Sequence, residues 1–135
     1  DGVEGSIVNI ASMLSMSGQP SIAAYSASKG GLATLTKNTA AGLLRNRIRV
    51  NGINVGWMMT EGEDAIQKTY HGADDKWMDT AAAALPFGRL IDPAEVARTV
   101  AVLASAESGL MTGSMVNFDQ TIWGAYAPQP MPDTK

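Results

Sequence analysis

Tyr25 and Lys29 stand four residues apart in the stretch SIAAYSASKGG, residues 21–31, where every neighbour except Ile22 is small. On a helix, residues at that spacing share a face. A free phenol has a pKa of about 10 and is a poor base at neutral pH. An ammonium held nearby favours the phenolate. The pair is therefore a device for moving a proton to or from an alcohol or carbonyl oxygen. Ser12 lies thirteen residues before Tyr25. It follows a short apolar run, where its hydroxyl could enter the same cleft and hold a substrate oxygen. Ala27, Ser28, Gly30 and Gly31 would let the helix pack closely or let a bulky cofactor approach. Alone, a tyrosine and a lysine at this spacing occur by chance in many helices, as a half-buried ring and a surface cation. The set becomes specific only with the elements that position it.

Those elements alternate. Ser6–Ile10 is apolar and β-branched, bounded by Gly5 and Ser12, and reads as a strand. Pro20 opens the next element. A helix is expected from about Ser21 to Arg45, with Leu32, Leu35, Leu43 and Leu44 at roughly helical spacing. Ile48–Val55 alternates as a second strand, and a loop through Gly56 to Thr60 follows. Residues 61–91 suggest one or two short helices and a turn at Pro86-Phe87-Gly88. Asp92-Pro93-Ala94-Glu95 is a helix start with a capping box. That helix carries Val96, Val100, Leu103 and Ala104 on one face and ends near Ser108-Gly109. Met115-Val116-Asn117-Phe118 is a third strand. The tail, 124–135, holds Pro128, Pro130 and Pro132 and reads as extended. Strand, helix, strand, helix, strand is the order of an α/β parallel sheet. Ligands of such sheets sit at the carboxyl ends of the strands. That rule selects Ser12, the Gly56–Thr60 loop and Asp119.

The bulk properties are those of a soluble globular chain. It has 135 residues, 45% hydrophobic and 17% charged, enough for one domain with a core. The net charge of −3 gives no reason to expect nucleic acid or an anionic membrane as partner. There is no cysteine, hence no disulfide or thiolate metal site. No apolar run approaches a membrane span, and the cytoplasm is the default compartment.

The set Ser12, Tyr25-Ser26-Ala27-Ser28-Lys29, Ile48-Arg49-Val50-Asn51 and Val55-Gly56-Trp57-Met58-Met59-Thr60 resembles the C-terminal half of a short-chain dehydrogenase/reductase, in order, over about residues 5–122. The resemblance implies a Rossmann-like, doubly wound parallel sheet and an oxidoreductase that interconverts alcohol and carbonyl with NAD or NADP. It implies Tyr25 as general acid/base. Lys29 would favour the phenolate and bind the nicotinamide ribose, and Ser12 would polarise the substrate oxygen. The loop Val55, Gly56, Met58 and Thr60 would lie beside the carboxamide, with Met58 acting through its backbone and Thr60 through its hydroxyl. Residues 57–91 would be the variable substrate lobe. Met13, Leu14 and Trp57, which flank the site, would join Ser12 in a pocket for a small-molecule substrate. Met58, Met59 and Trp77 could serve either pocket or core. The ending Asn117–Gly124 is similar to members acting on sugars, sugar acids or polyols. A homo-tetramer or homo-dimer is implied, with the Tyr25-to-Arg45 helix, the last strand and the tail as contact surfaces.

Two departures stand out. Val55 replaces the proline with which the family's loop begins. No Gly-x-Gly exists in the chain, so the family's phosphate loop is not in it. The family's Asn-Asn-Ala-Gly stretch, its helix asparagine and the residue that selects NAD or NADP are also not found. The start Asp1-Gly2-Val3-Glu4-Gly5, without methionine, leads to the expectation of a piece of a protein about twice as long. The competing expectation is a non-catalytic fragment that serves as a binding or assembly module. His71 is the sole histidine, a residue more often structural than catalytic. Asp74, Asp75 and Asp79 suit the start of a helix better than a metal, and no metal site is expected. Arg45 and Arg47 read as solvated charges.

Overall fold

In the computed structural model, residues 4–125 are described. The tail expectation therefore lies outside the described residues from 126 onward, as does the start at residues 1–3.

Three parallel strands form the sheet in the order β1-β2-β3: β1 is Gly5–Ser12, β2 is Ile48–Val55 and β3 is Met115–Phe118. Helix α1, Ala23–Leu43, connects the first two. Helices α2, Glu61–Tyr70, α3, Trp77–Ala83, and α4, Pro93–Ala104, lie between the second and third. The central strand β2 is buried from Val50 to Val55 because both its edges and both its faces are covered. Ile53, Val55, Ile91, Val96 and Leu103 form the main core, with Val8, Val100, Val116 and Phe118 packed around it. Full burial of each large aliphatic side chain contributes about 1.5–3 kcal/mol.

Strand β1 runs two residues further than its apolar pattern indicates, so that Ser12 is its last paired residue. Helix α1 corrects the leucine stripe. Its buried residues are Ser26, Thr36 and Ala40, whereas Leu35 and Leu44 are more than half exposed. Small side chains let this helix lie close to the sheet. Asn9 of β1 donates to Thr36 Oγ1 at 3.0 Å, and that hydroxyl donates to the Leu32 carbonyl at 2.8 Å. Single-turn 3-10 segments at Pro20–Ile22 and Leu44–Asn46 flank α1, so the α-helix proper is shorter than the expected span.

Helix α4 starts as its sequence requires. The Asp92 carboxylate accepts from Ala94 N at 2.8 Å, and Glu95 reaches back to Asp92 N at 3.1 Å. Val96 and Leu103 are buried, but Ala104 is exposed because the helix ends there and turns away. Its last carbonyls are gathered by Arg49, which donates to Leu103 O at 3.0 Å and Ser105 O at 2.9 Å, and also to the Ser108 hydroxyl. A guanidinium there complements the negative end of the helix dipole.

Candidate active site

The register aligns the strand ends. Ser12 pairs with Val55, and Val55 pairs with Phe118. The three sites selected by the carboxyl-end rule therefore lie on one edge of the sheet.

Ser12 is buried and its Oγ accepts from Leu14 N at 3.1 Å, capping the 3-10 turn Met13–Ser15. With the oxygen engaged as acceptor, its O–H is left to donate. Lys29 reaches from α1 to β1 and donates to the Ile10 carbonyl at 3.0 Å, two residues before Ser12. That bond leaves two N–H donors on the ammonium. Its Nζ also lies 5.6 Å from the centroid of the Tyr25 ring, within cation–π range. Tyr25 is 45% exposed. Lys29 thus brings the end of β1 and the Tyr25 ring together.

Below them, Asn54 is fully buried on β2. It accepts from the Ser15 hydroxyl at 2.8 Å and donates to Asn117 Oδ1 at 2.9 Å, joining the turn after β1 to β3. Its alternating position in a strand gave no signal of this.

In the Val55–Thr60 loop, Val55 is buried in the core, so its side chain serves packing. Gly56 N donates to Phe118 O at 3.0 Å, and a Cβ on Gly56 would overlap the Asp119 carboxylate. Met58 forms a parallel bridge with Ile91. Thr60 Oγ1 accepts from Glu63 N at 3.0 Å as the cap of α2, which leaves its O–H as a donor. Of the flanking apolar residues, Met13 is buried, Leu14 is half-buried, and Trp57 is exposed on one side.

Trp57 stacks on Trp77 with ring centroids 6.0 Å apart. The two indoles donate to adjacent acids of α2, Trp57 to Glu63 and Trp77 to Asp64, each at 2.8 Å. The bond from Trp77, followed by the Lys68 ammonium, holds the Asp64 carboxyl below the ordinary aspartate value. Trp77, Ala81 and Leu90 form a separate small core, so the lobe packs around its own apolar centre. Asp74 caps the turn into α3 through Lys76 N at 2.9 Å, and Asp75 pairs with Lys68 at 3.0 Å. His71 is exposed at the end of α2 and takes no place in the site. Arg45 and Arg47 are exposed.

A parallel sheet with this serine at the end of β1, this tyrosine–lysine pair on α1 and this loop after β2 accords with the class that the matches show: the chain belongs to the short-chain dehydrogenases/reductases. Residues 1–120 match the family model described as enoyl-(acyl carrier protein) reductase. The chain is 36% identical over 115 residues to the 3-oxoacyl-(acyl-carrier-protein) reductase FabG of Thermotoga maritima, covering 85% of this chain and 44% of that protein. It is similar to the aldohexose dehydrogenase of Thermoplasma acidophilum, with TM-score 0.82, 28% identity and coverage of 96% of this chain and 52% of the other. A putative NAD(P)-dependent gluconate 5-dehydrogenase from Beutenbergia cavernae, solved with bound NADP, matches with TM-score 0.74 and 31% identity over 87% of this chain and 45% of its own. The chain thus spans about half the length of the relatives it matches.

Proposed function

We propose that this chain is the catalytic, C-terminal part of an NAD(P)-dependent oxidoreductase that interconverts an alcohol and a carbonyl. The observation that carries the reading is Lys29, which is bonded to the end of β1 and set beside the Tyr25 ring, with Ser12 two residues beyond its anchor. The residues present fit the nicotinamide-ribose end of a dinucleotide. Lys29 has free N–H donors for a ribose diol, and Thr60 retains an O–H donor. A bound nicotinamide would supply or accept the hydride. Ser12 donates to the substrate oxygen. Tyr25 gives its proton to that oxygen in the direction of reduction and takes it back in oxidation, and Lys29 stabilises the phenolate left behind. Trp57 and Leu14 form the apolar side of the pocket. For the substrate, the resemblance of the Asn117–Gly124 ending and the similarity to the aldohexose and gluconate dehydrogenases favour a sugar, sugar acid or polyol.

The test is Tyr25→Phe in the full-length protein that contains this chain. Turnover should fall by about 10²–10⁴-fold, the scale of lost general acid/base catalysis, with cofactor binding retained. Undiminished turnover would remove Tyr25 from the mechanism. A panel of sugars, sugar acids, polyols and 3-hydroxyacyl thioesters with NAD and NADP identifies the substrate class. Preference for the thioesters would reject the sugar reading.

A further inference from the structure

Gln120 lies two residues beyond β3, and its carboxamide is used at both ends. Its Oε1 accepts from Phe87 N at 2.8 Å, and its Nε2 donates to the Arg89 carbonyl at 2.6 Å. Both partners belong to the segment 87–91, which leaves the lobe and returns to the sheet. The same segment is stitched on its other side to the loop after β2. Ile91 N donates to the Trp57 carbonyl at 3.0 Å, and Met59 N donates to the Ile91 carbonyl at 2.9 Å. The circuit closes on itself, since Gly56 N is held by the Phe118 carbonyl and the Asp119 side chain lies against Gly56. Arg89 adds a second anchor through its bidentate pair with Glu95 at 2.7 and 2.8 Å. Residues 56–59 are thus fixed from one side by the end of β3 and from the other by a strap whose far edge is clamped by Gln120.

We propose that Gln120 is a positioning residue that sets the Gly56–Met59 backbone, through the 87–91 strap, for nicotinamide binding. The inference rests on the oxidoreductase reading. An amide suits the task because it donates and accepts in one plane, whereas a carboxylate could hold Phe87 N but not the Arg89 carbonyl.

The test uses the full-length protein and compares Gln120→Ala, Gln120→Glu and Tyr25→Phe. Gln120→Ala should raise the KM for the nicotinamide cofactor about five- to tenfold, the scale of one or two lost hydrogen bonds, with kcat changed much less. Gln120→Glu should fall between Ala and the unmodified protein. Tyr25→Phe should show the opposite split. Amide hydrogen exchange without cofactor supplies a readout that needs no activity: Gln120→Ala should speed exchange at Met59 and Ile91, which take part in the strap bonds, and leave Ile53 in the core protected. Unchanged cofactor KM and unchanged exchange at Met59 and Ile91 would overturn the role of Gln120 while leaving the reading of Tyr25 intact. Full turnover in Tyr25→Phe would remove Tyr25 from the mechanism, absence of turnover with NAD or NADP in the unmodified full-length protein would overturn the oxidoreductase reading, and in either case the exchange result would still decide whether Gln120 holds the loop.

Discussion

Gly56 is the residue at which the site tolerates least. It begins the loop after β2, bonds the end of β3, and lies where any Cβ would meet the Asp119 carboxylate. Carboxylate and backbone cannot both yield without moving the strand end. Gly56→Ala should therefore cost about 1–3 kcal/mol of stability, the range of an overpacked site. Adding Asp119→Gly removes the obstructing side chain and should recover most of that loss in a denaturant titration of the full-length protein. No recovery would place the strain elsewhere. The residue scale is also where sequence reading divides. Ser12, Tyr25 and Lys29 were legible because their types and spacing carry chemistry. Asn54, Arg49 and Gln120 were not, because a polar residue in or after a strand has no spacing signature. Their partners lie 39 to 63, 54 to 59 and 31 to 33 residues away in the chain, respectively.

Among the elements, the start of α4 was readable to the residue and the face of α1 was not. Asp92-Pro93-Ala94-Glu95 declares its own hydrogen bonds, since each donor and acceptor lies within three residues of the other. The buried face of α1 depends on how near the sheet lies, and there Ser26, Thr36 and Ala40 take the buried positions while Leu32 and Leu43 are half-buried and Leu35 is exposed. The local box at α4 also has a long-range partner. Arg89, with the Asp92 backbone N–H as the second cause, holds the Glu95 carboxyl at about 2, far below the ordinary glutamate value. A carboxyl held lower in the fold than in the unfolded chain stabilises the fold above its unfolded pKa, and that contribution is lost as pH falls through the folded value. The Glu95 contribution should therefore be present at neutral pH and disappear between the ordinary glutamate range and about 2. An NMR titration of the Glu95 side chain should show a midpoint well below that of an unpaired glutamate. A midpoint in the ordinary range would mean that the Arg89 pair does not persist in solution. The lobe follows the same logic through Asp64, whose carboxyl is held low by the Trp77 indole and then by Lys68.

For the molecule as a whole, β1 and β3 are the outer strands of the sheet among the described residues, and the β1 boundary is the one beside Lys29. Among the described residues β1 pairs only with β2, and Ile7 and Ile10 on it are 40% and 42% exposed. An extended strand with free backbone N–H and C=O groups and exposed isoleucines is a template for another strand. The open edge lies beside the candidate site, because β1 carries Ile10, whose carbonyl anchors Lys29, and ends at Ser12. What covers that edge therefore also fixes the ground on which Lys29 stands. The chain spans about half the length of the relatives it matches. The consequence is testable with the 135-residue chain expressed alone. It should self-associate, giving species above 14.1 kDa in light scattering after size exclusion. Ile7→Lys places a charge on the open strand without touching Ser12, Tyr25 or Lys29, and should shift the population toward 14.1 kDa. If the chain is part of a longer protein, as proposed above, and a further strand covers this edge there, the same substitution should destabilise that protein instead, because the lysine would lose its water. A monodisperse 14.1 kDa species from the unmodified chain, with no stability loss from Ile7→Lys at full length, would show that nothing docks on this edge.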